Sequence, residues 1–371
     1  MSKPRPVTMP VRASIVDVAQ LAGVSVATVS RALRGLPNVS NSTRDRVLSA
    51  AEELEYTASP LAAALVTGRT RSIGVIVADT DRWFFIEVLR GLEQALQEQG
   101  YDLVLHVLPE GERRDRFFAA LPVRRRVDAL VVAGLRLTAA QQAALAQLQL
   151  PIAAVAEPVN GVHGEMIDNE AAARVAVQHL LDLGHTRVAM IGGAPDSDQS
   201  SAPAARARGY RAALNAVGLE PALTLDGRFS FEGGAAAMTE LLAGPGPRPT
   251  ALFCQSDEMA FGALETLHQA GQRCPEAISI IGFDDHELAG AFGLTTVRQP
   301  IREQGAAAAH WLTSALDRTG PAVETAVTEV LHPVRLVLRG STSAVPPQRG
   351  VSSTAKDPGD EPDSPDGATS L

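Results

Sequence analysis

The chain of 371 residues carries 33 Lys/Arg against 42 Asp/Glu, a formal net charge of −9, with 45% hydrophobic and 20% charged residues. That balance excludes a mostly disordered or fibrous chain, and the only two cysteines, Cys254 and Cys274, exclude a disulfide framework or a Cys-rich zinc site. No apolar run reaches the roughly 18 residues of a membrane-spanning helix, and residues 1–10 lack the apolar segment of a secretory signal, so a cytoplasmic protein with no membrane partner is expected. The charge is segregated. Residues 1–71 hold nine Lys/Arg against five Asp/Glu (net +4), residues 72–340 are net −10, and residues 341–371 are net −3. A basic head on an acidic body points to a polyanionic partner for the head alone.

After a flexible N-terminus (1–12), Ser14–Ala22 places Ile15, Val18, Ala19, Leu21 and Ala22 on a helical stripe, and Ser14 with Asp17 has the spacing of a capping box. Gly23 ends that helix where a positive φ is cheap. Ser25 caps a second helix, Val26–Leu33, with Val24 and Val29 filling the space between the two and Ala19 allowing close approach. A third helix is expected over Ser42–Leu54, with Ser42 and Asp45 as its capping pair and Val47, Leu48, Ala51 and Leu54 as its apolar face. This is helix-turn-helix spacing over residues 13–59, in which the second helix presents its N-terminal residues to base edges in the major groove. Val26 and Ala27 offer apolar contact to thymine methyls, and Arg31 offers a bidentate fork to guanine. Ser25, Thr28, Ser30, Ser40, Asn41, Thr43 and Arg44 suit phosphates. An ordinary three-helix bundle with Arg31 solvated fits the same pattern. Residues 60–71 follow as a hinge and linker. Pro60–Val66 is Ala-rich and helix-prone but too short to be stable alone. Leu65 there reads either as a minor-groove wedge or as a linker residue packed on the body.

From Ile73 onward, apolar runs at 73–78, 103–107, 129–133, 152–156, 188–191, 251–254 and 278–283 alternate with helix-like segments at 84–99, 139–148, 170–183, 203–217, 232–243 and 257–270. The alternation implies two doubly wound parallel-sheet units, with a ligand beyond the carboxyl ends of the strands. Asp79, Trp83, Phe84, Arg206, Phe229, Ser256, Asp257 and Asp284 fall at such ends. Carboxylates and guanidinium groups pair with hydroxyls, and aromatic faces stack on a sugar ring, so these residues suit a polyol. Asp257 reads equally as a helix cap. A nucleobase or nucleoside is the alternative ligand, stacked by Phe229 and Trp83. No nucleophile elbow, phosphate-binding loop or HExxH motif is present, and no histidine pairs by spacing with a nucleophile, so neither enzyme activity, cofactor nor metal is expected. A solute receptor without a DNA role is the remote alternative, disfavoured by the basic head.

The segments IVDVAQLAGVSVATVSRALRG, VSNSTRDRVLSAAEELEYTAS, SIGVIVAD, IDNEAAARVAVQHLLDLGHTRVAMIGG, CQSDEMAFGAL and ISIIGFDDHELAGAFGLTTVRQP resemble, in order, those of the lactose-repressor/galactose-repressor (LacI/GalR) family of bacterial transcription regulators. The resemblance implies an all-α helix-turn-helix head on an α/β body similar to periplasmic binding proteins. It also implies a nucleoid-associated homodimer on a near-palindromic operator and an allosteric small-molecule effector, most simply a carbohydrate. Val26 and Ala27 match the family's base-reading pair, Arg31 its guanine-directed Arg, Leu65 its intercalating hinge Leu, and Arg206, Asp284 and Phe229 its effector contacts. Trp83–Phe84 departs from the usual Pro-Phe pair. Three crossings between subdomains are expected near 164, 293 and 325, giving an N-subdomain of 72–163 and 294–324 and a C-subdomain of 164–293 and 325–340. The Ser/Pro/Asp-rich tail, 341–371, is expected to be disordered and lacks tetramerising Leu heptads.

Overall fold

A computed structural model describes residues 13–33, 36–56, 68–193, 201–317 and 328–345. The head is three helices, α1 (Ile15–Ala22), α2 (Val26–Leu33) and α3 (Asn41–Glu53). The capping box forms as spaced: Ser14 N–H donates to Asp17 Oδ2 at 2.8 Å and Asp17 N–H to Ser14 Oγ at 3.4 Å. Gly23 takes φ 64°, and Ser25 Oγ accepts from Thr28 N–H at 3.2 Å. The third helix starts earlier than expected. Its N-cap is Ser40, whose Oγ accepts from Thr43 N–H at 3.3 Å, so Ser42 and Asp45 are not the capping pair. Val18, Ala19, Ala22, Val29, Ala32, Val47, Ala50 and Ala51 form the small core. Leu48 is 48% exposed because Val47, Ala50, Ala51 and Leu54 already make the i, i+3, i+4, i+7 stripe and Leu48 lies off it. Leu65 and the rest of Pro60–Val66 lie outside the described residues.

The body runs β1 (Ser72–Val77), α4 (Trp83–Glu98), β2 (Asp102–Val107), α5 (Glu112–Ala120), β3 (Ala129–Ala133), α6 (Ala139–Ala146), β4 (Ile152–Val155) and β5 (His163–Met166). It continues with α7 (Asn169–Asp182), β6 (Val188–Gly192), α8 (Ala202–Ala216), β7 (Leu223–Asp226), α9 (Phe231–Ala243), β8 (Ala251–Cys254), α10 (Asp257–Gln269), β9 (Ser279–Asp284) and β10 (Thr295–Arg298). Last come α11 (Ile301–Asp317), β11 (Glu329–Leu331) and β12 (Arg335–Val337). One six-stranded sheet has the order β11-β5-β4-β3-β1-β2 and the other β12-β10-β9-β8-β6-β7. All neighbours are parallel except β12, which is antiparallel to β10. α4 and α11 cover one face of the first sheet through Phe85, Val88, Leu92, Ala308 and Leu312, and Phe117, Phe118 and Leu145 of α5 and α6 cover the other. α9 with α10, and α7 with α8, cover the second sheet in the same way. Three of these helix pairs touch backbone to backbone, α7 and α8 at Gly209, where a Cβ would stand 2.2 Å from the Glu170 carbonyl oxygen. A Cβ on Gly91 would stand 2.1 Å from the Arg302 carbonyl oxygen, and one on Gly234 would stand 2.1 Å from that of Met259.

The pairing moves the subdomain boundaries. Residue 164 sits inside β5, which pairs with β4 and β11 of the first sheet, so that crossing falls at 167–168. β10 pairs with β9, so the second crossing falls at 299–300 and not near 293. β11 returns to the first sheet, so the third lies at 332–334 and not near 325. The tail also begins later than expected. Ser341 is buried, donates Oγ–H to the Ile280 carbonyl at 2.6 Å and accepts from Thr295 N–H at 2.8 Å. Val345 N–H reaches the Leu183 carbonyl at 3.0 Å, so residues 341–345 belong to the second subdomain.

Candidate functional site: a DNA-reading head and an inter-subdomain cleft

In the head, Ser25, Val26, Ala27 and Arg31 are exposed along one side of α2, while Val29 and Ala32 on the other side are buried. The Arg31 Nε–H donates to its own helix at Ala27 O, 3.1 Å, which leaves the outer guanidinium edge directed away from the core. The Ser25 and Thr28 hydroxyls lie 2.9 Å apart, and Ser30 is half-buried. At the start of α3, Asn41 is exposed and the Thr43 hydroxyl accepts from Ser40 Oγ at 2.8 Å. Arg44 is half-buried and donates to the Leu36 carbonyl at 3.0 Å, holding the loop that precedes α3.

In the body, the carboxyl ends of both sheets face a cleft of about 370 Å³. Six of the eight ligand candidates line it: Asp79, Phe84, Arg206, Phe229, Ser256 and Asp284. Trp83 and Asp257 do not. Trp83 opens α4 with its N–H on Glu258 Oε1 at 3.3 Å and its ring against His286, centroids 4.6 Å apart, so the next residue, Phe84, takes the cleft-facing position. Asp257 is enclosed, accepting from Thr296 Oγ1 at 2.6 Å and from His286 N–H at 2.7 Å. It clips the loop after β9 to β10, and burial raises its carboxyl well above the usual range. Ser256 both lines the cleft and caps α10, accepting from Met259 N–H at 3.4 Å.

The centre of the cleft is a buried ion pair. Arg206 donates Nε–H to Asn169 Oδ1 at 2.9 Å and Nη1–H to the Gln255 carbonyl at 2.6 Å, stacks on Phe283 at 3.7 Å, and stands 3.9 Å from Asp284 Oδ1. Gln299 Nε2 donates to the same Asp284 oxygen at 2.5 Å. Burial raises the Asp284 carboxyl to about 6, with Arg206 and Gln299 partly opposing it. Burial also lowers the Arg206 guanidinium, opposed chiefly by Asp284. Asp284 (φ 115°) and Phe229 (φ 52°) both sit in left-handed backbone. That conformation costs about 1–3 kcal/mol per non-glycine residue and collects at binding sites.

Sequence reasoning missed several lining groups, including Arg82, Glu157, Asn169, Glu258 and Gln299. Gln299 follows β10, a strand with no recognised apolar run, so its place at a strand end was hidden. Arg82 reaches across from the first subdomain to lie 4.7 Å over the Phe229 ring of the second, and burial lowers its guanidinium. Glu157 Oε1 bridges the same gap, accepting from Ala202 N–H at 2.9 Å. Such a set of carboxylates, guanidinium groups and ring faces can bind a hydroxyl-rich ligand from both sides and couple its occupancy to the subdomain angle.

A helix-turn-helix head joined to a two-subdomain body with a cleft of this kind defines a ligand-responsive DNA-binding regulator. Residues 14–59 match the family model described as bacterial regulatory proteins, lacI family, and residues 177–342 match the periplasmic binding protein-like domain. The HTH-type transcriptional repressor CytR of Escherichia coli (strain K12) is 36% identical over 341 residues, covering 90% of this chain and 97% of its own. The lac repressor dimer bound to operator and an anti-inducer superposes with a TM-score of 0.79 at 26% identity, covering 90% of this chain and 99% of that one. The transcriptional regulator CelR in complex with cellobiose does so with 0.63 at 30% identity, covering 89% and 100%. The chain belongs to the LacI family of bacterial transcriptional regulators. Among the described residues no single helix is long and apolar enough to cross a membrane.

Proposed function

We propose that the protein is a homodimeric repressor whose operator affinity is set by a carbohydrate bound in the inter-subdomain cleft. The observation that carries the ligand class is the pairing of Arg206 and Asp284, both buried, beside the Phe229 ring. A charged donor and a charged acceptor side by side match the alternating hydroxyls of a sugar, and the ring matches its apolar face. The cellobiose bound to the similar regulator CelR supports the same class. A nucleoside fits less well, because Trp83, the second stacking ring that it would use, packs against His286. Val26, Ala27 and Arg31 read bases. Ser25, Thr28, Ser30, Asn41, Thr43 and Arg44 hold phosphates. Leu65 enters the minor groove.

A thermal-shift screen of sugars, sugar phosphates and nucleosides tests the ligand, since binding to the native state raises apparent stability. A sugar is expected to raise Tm in the wild type and not in Arg206→Ala; a response to nucleosides alone overturns the carbohydrate assignment. Gel shifts with and without the identified ligand test the gating, with an expected coupling of about 1–3 kcal/mol. Unchanged operator affinity at saturating ligand refutes it, and tighter binding makes the ligand a corepressor.

A further inference from the structure

A second cavity lies in the first subdomain, away from the cleft, between the C-terminal end of α6, the start of β4 and the loop into β5. It measures about 340 Å³, close to the cleft's 370 Å³, but its chemistry is opposite. Nine charged side chains line the cleft; no Asp, Glu, Lys or Arg among the described residues lines this one. Leu145, Ile152, Val159 and Val162 supply apolar wall, and Trp311 and His163 supply stacked rings with centroids 4.4 Å apart and planes 3° from parallel.

His163 is 4% exposed, and its two nitrogens differ. Nε2 lies 2.7 Å from Glu165 Oε1, whose other oxygen lies 2.6 Å from His332 Nε2. A carboxylate at that distance takes the proton of Nε2, and in the Nε2–H tautomer Nδ1 is a lone-pair acceptor. Nδ1 is buried and has no hydrogen-bond partner among the described residues. Buried polar atoms are nearly always partnered, and one left unpaired costs about 1–3 kcal/mol. We propose that this cavity is a second small-molecule site, for a neutral, flat, mainly apolar ligand that carries one hydroxyl or N–H donor, of the size and kind of a phenol. The wall offers no charged partner to an ionic ligand, and besides the His163 and Trp311 rings its polar side chains among the described residues are the amides of Gln142, Gln149 and Asn160. The apolar wall and Trp311 take the ring, and His163 Nδ1 takes the donor. Its occupant would abut the Glu165–His332 link, which ties the third subdomain crossing to β5. The proposal does not depend on the identity of the cleft ligand.

The protein has two tryptophans, so full-length Trp83→Phe leaves Trp311 emission as a direct report on the cavity. Phenol is expected to change that emission saturably and to bind about fivefold more tightly than toluene, the weight of one neutral hydrogen bond. Ala146→Phe, an exposed position on the cavity rim, is expected to abolish both responses. If Trp83→Phe does not fold, thermal shifts with the same two probes on the wild type and Ala146→Phe replace the emission. No saturable response to either probe overturns the site and leaves Nδ1 to a trapped water. A response that survives Ala146→Phe places the probe elsewhere and overturns it too. Equal affinity for phenol and toluene overturns the role of His163.

Discussion

Asp284 offers the sharpest test of the cleft, because stability and binding pull in opposite directions on one carboxylate. Its ordinary value is 3.8, and burial lifts it to about 6 in the folded protein. That gap corresponds to about 3 kcal/mol at 1.36 kcal/mol per unit. The direction is that of a raised acid. Its stabilising contribution is fully present below 3.8, where both states hold the proton, and is lost as pH rises through about 6. At pH 7 the folded protein therefore carries an ionised Asp284 at a net cost, even with Arg206 at 3.9 Å and Gln299 at 2.5 Å already helping. Asp284→Asn removes the charge, keeps an oxygen for Gln299 and tolerates the positive φ better than most residues. The loss of attraction to Arg206 is contained in the 3 kcal/mol, so the variant is expected to be more stable at pH 7 by about 1–3 kcal/mol, or roughly 3–10 °C in Tm. The two melting temperatures should converge as pH falls toward about 4. Effector affinity should drop about 10- to 100-fold, the weight of a charged hydrogen bond. Melts across this pH range, with and without ligand, decide it. A variant less stable at pH 7, a gap that does not narrow on acidification, or unchanged effector affinity would each refute the reasoning.

Arg31→Ala is expected to cost about 1–3 kcal/mol of operator affinity at one base pair per half-site while sparing random DNA; equal loss on both by fluorescence anisotropy makes it a phosphate contact. Gly234→Ala forces a Cβ against the Met259 carbonyl and should destabilise by about 2–3 kcal/mol in urea at unchanged m-value. Ending the chain after Val345 should leave urea stability unchanged. Ending it after Gly340 removes the Ser341 bonds to Ile280 and Thr295 and should cost about 2–4 kcal/mol; equal stability of the two truncations returns 341–345 to the tail.

What could be read from the chain, and what could not, follows from where physical information is local. Capping at Ser14 and Ser25, the turn at Gly23, and buried β-branched strands such as Ile73–Val77 announce themselves within a few residues. Strands β5 (HGEM), β11 (EVL) and β12 (RLV) are only three or four residues long, too short for a periodic pattern to register, and β11 and β12 take their identity from pairing with β5 about 165 residues earlier and β10 about 40 residues earlier. They also border the subdomain crossings, so each boundary falls three to nine residues later than the sequence suggests. The same holds within the cleft. Asp284 is visible at the end of IIGF, but Gln299, which holds it, is not. Whether Trp83 or Phe84 faces the ligand turns on one residue's rotation at the start of a helix, about 100°. The hidden residues explain how a ligand can act at a distance. Asn169, just past the first crossing, accepts from Arg206, and Gln299, at the second, donates to Asp284. The two charged groups best placed to grip a ligand are thus each tied to a segment that joins the subdomains. A ligand that redistributes those hydrogen bonds acts directly on two of the three connections about which the subdomains turn, with no longer chain of contacts required.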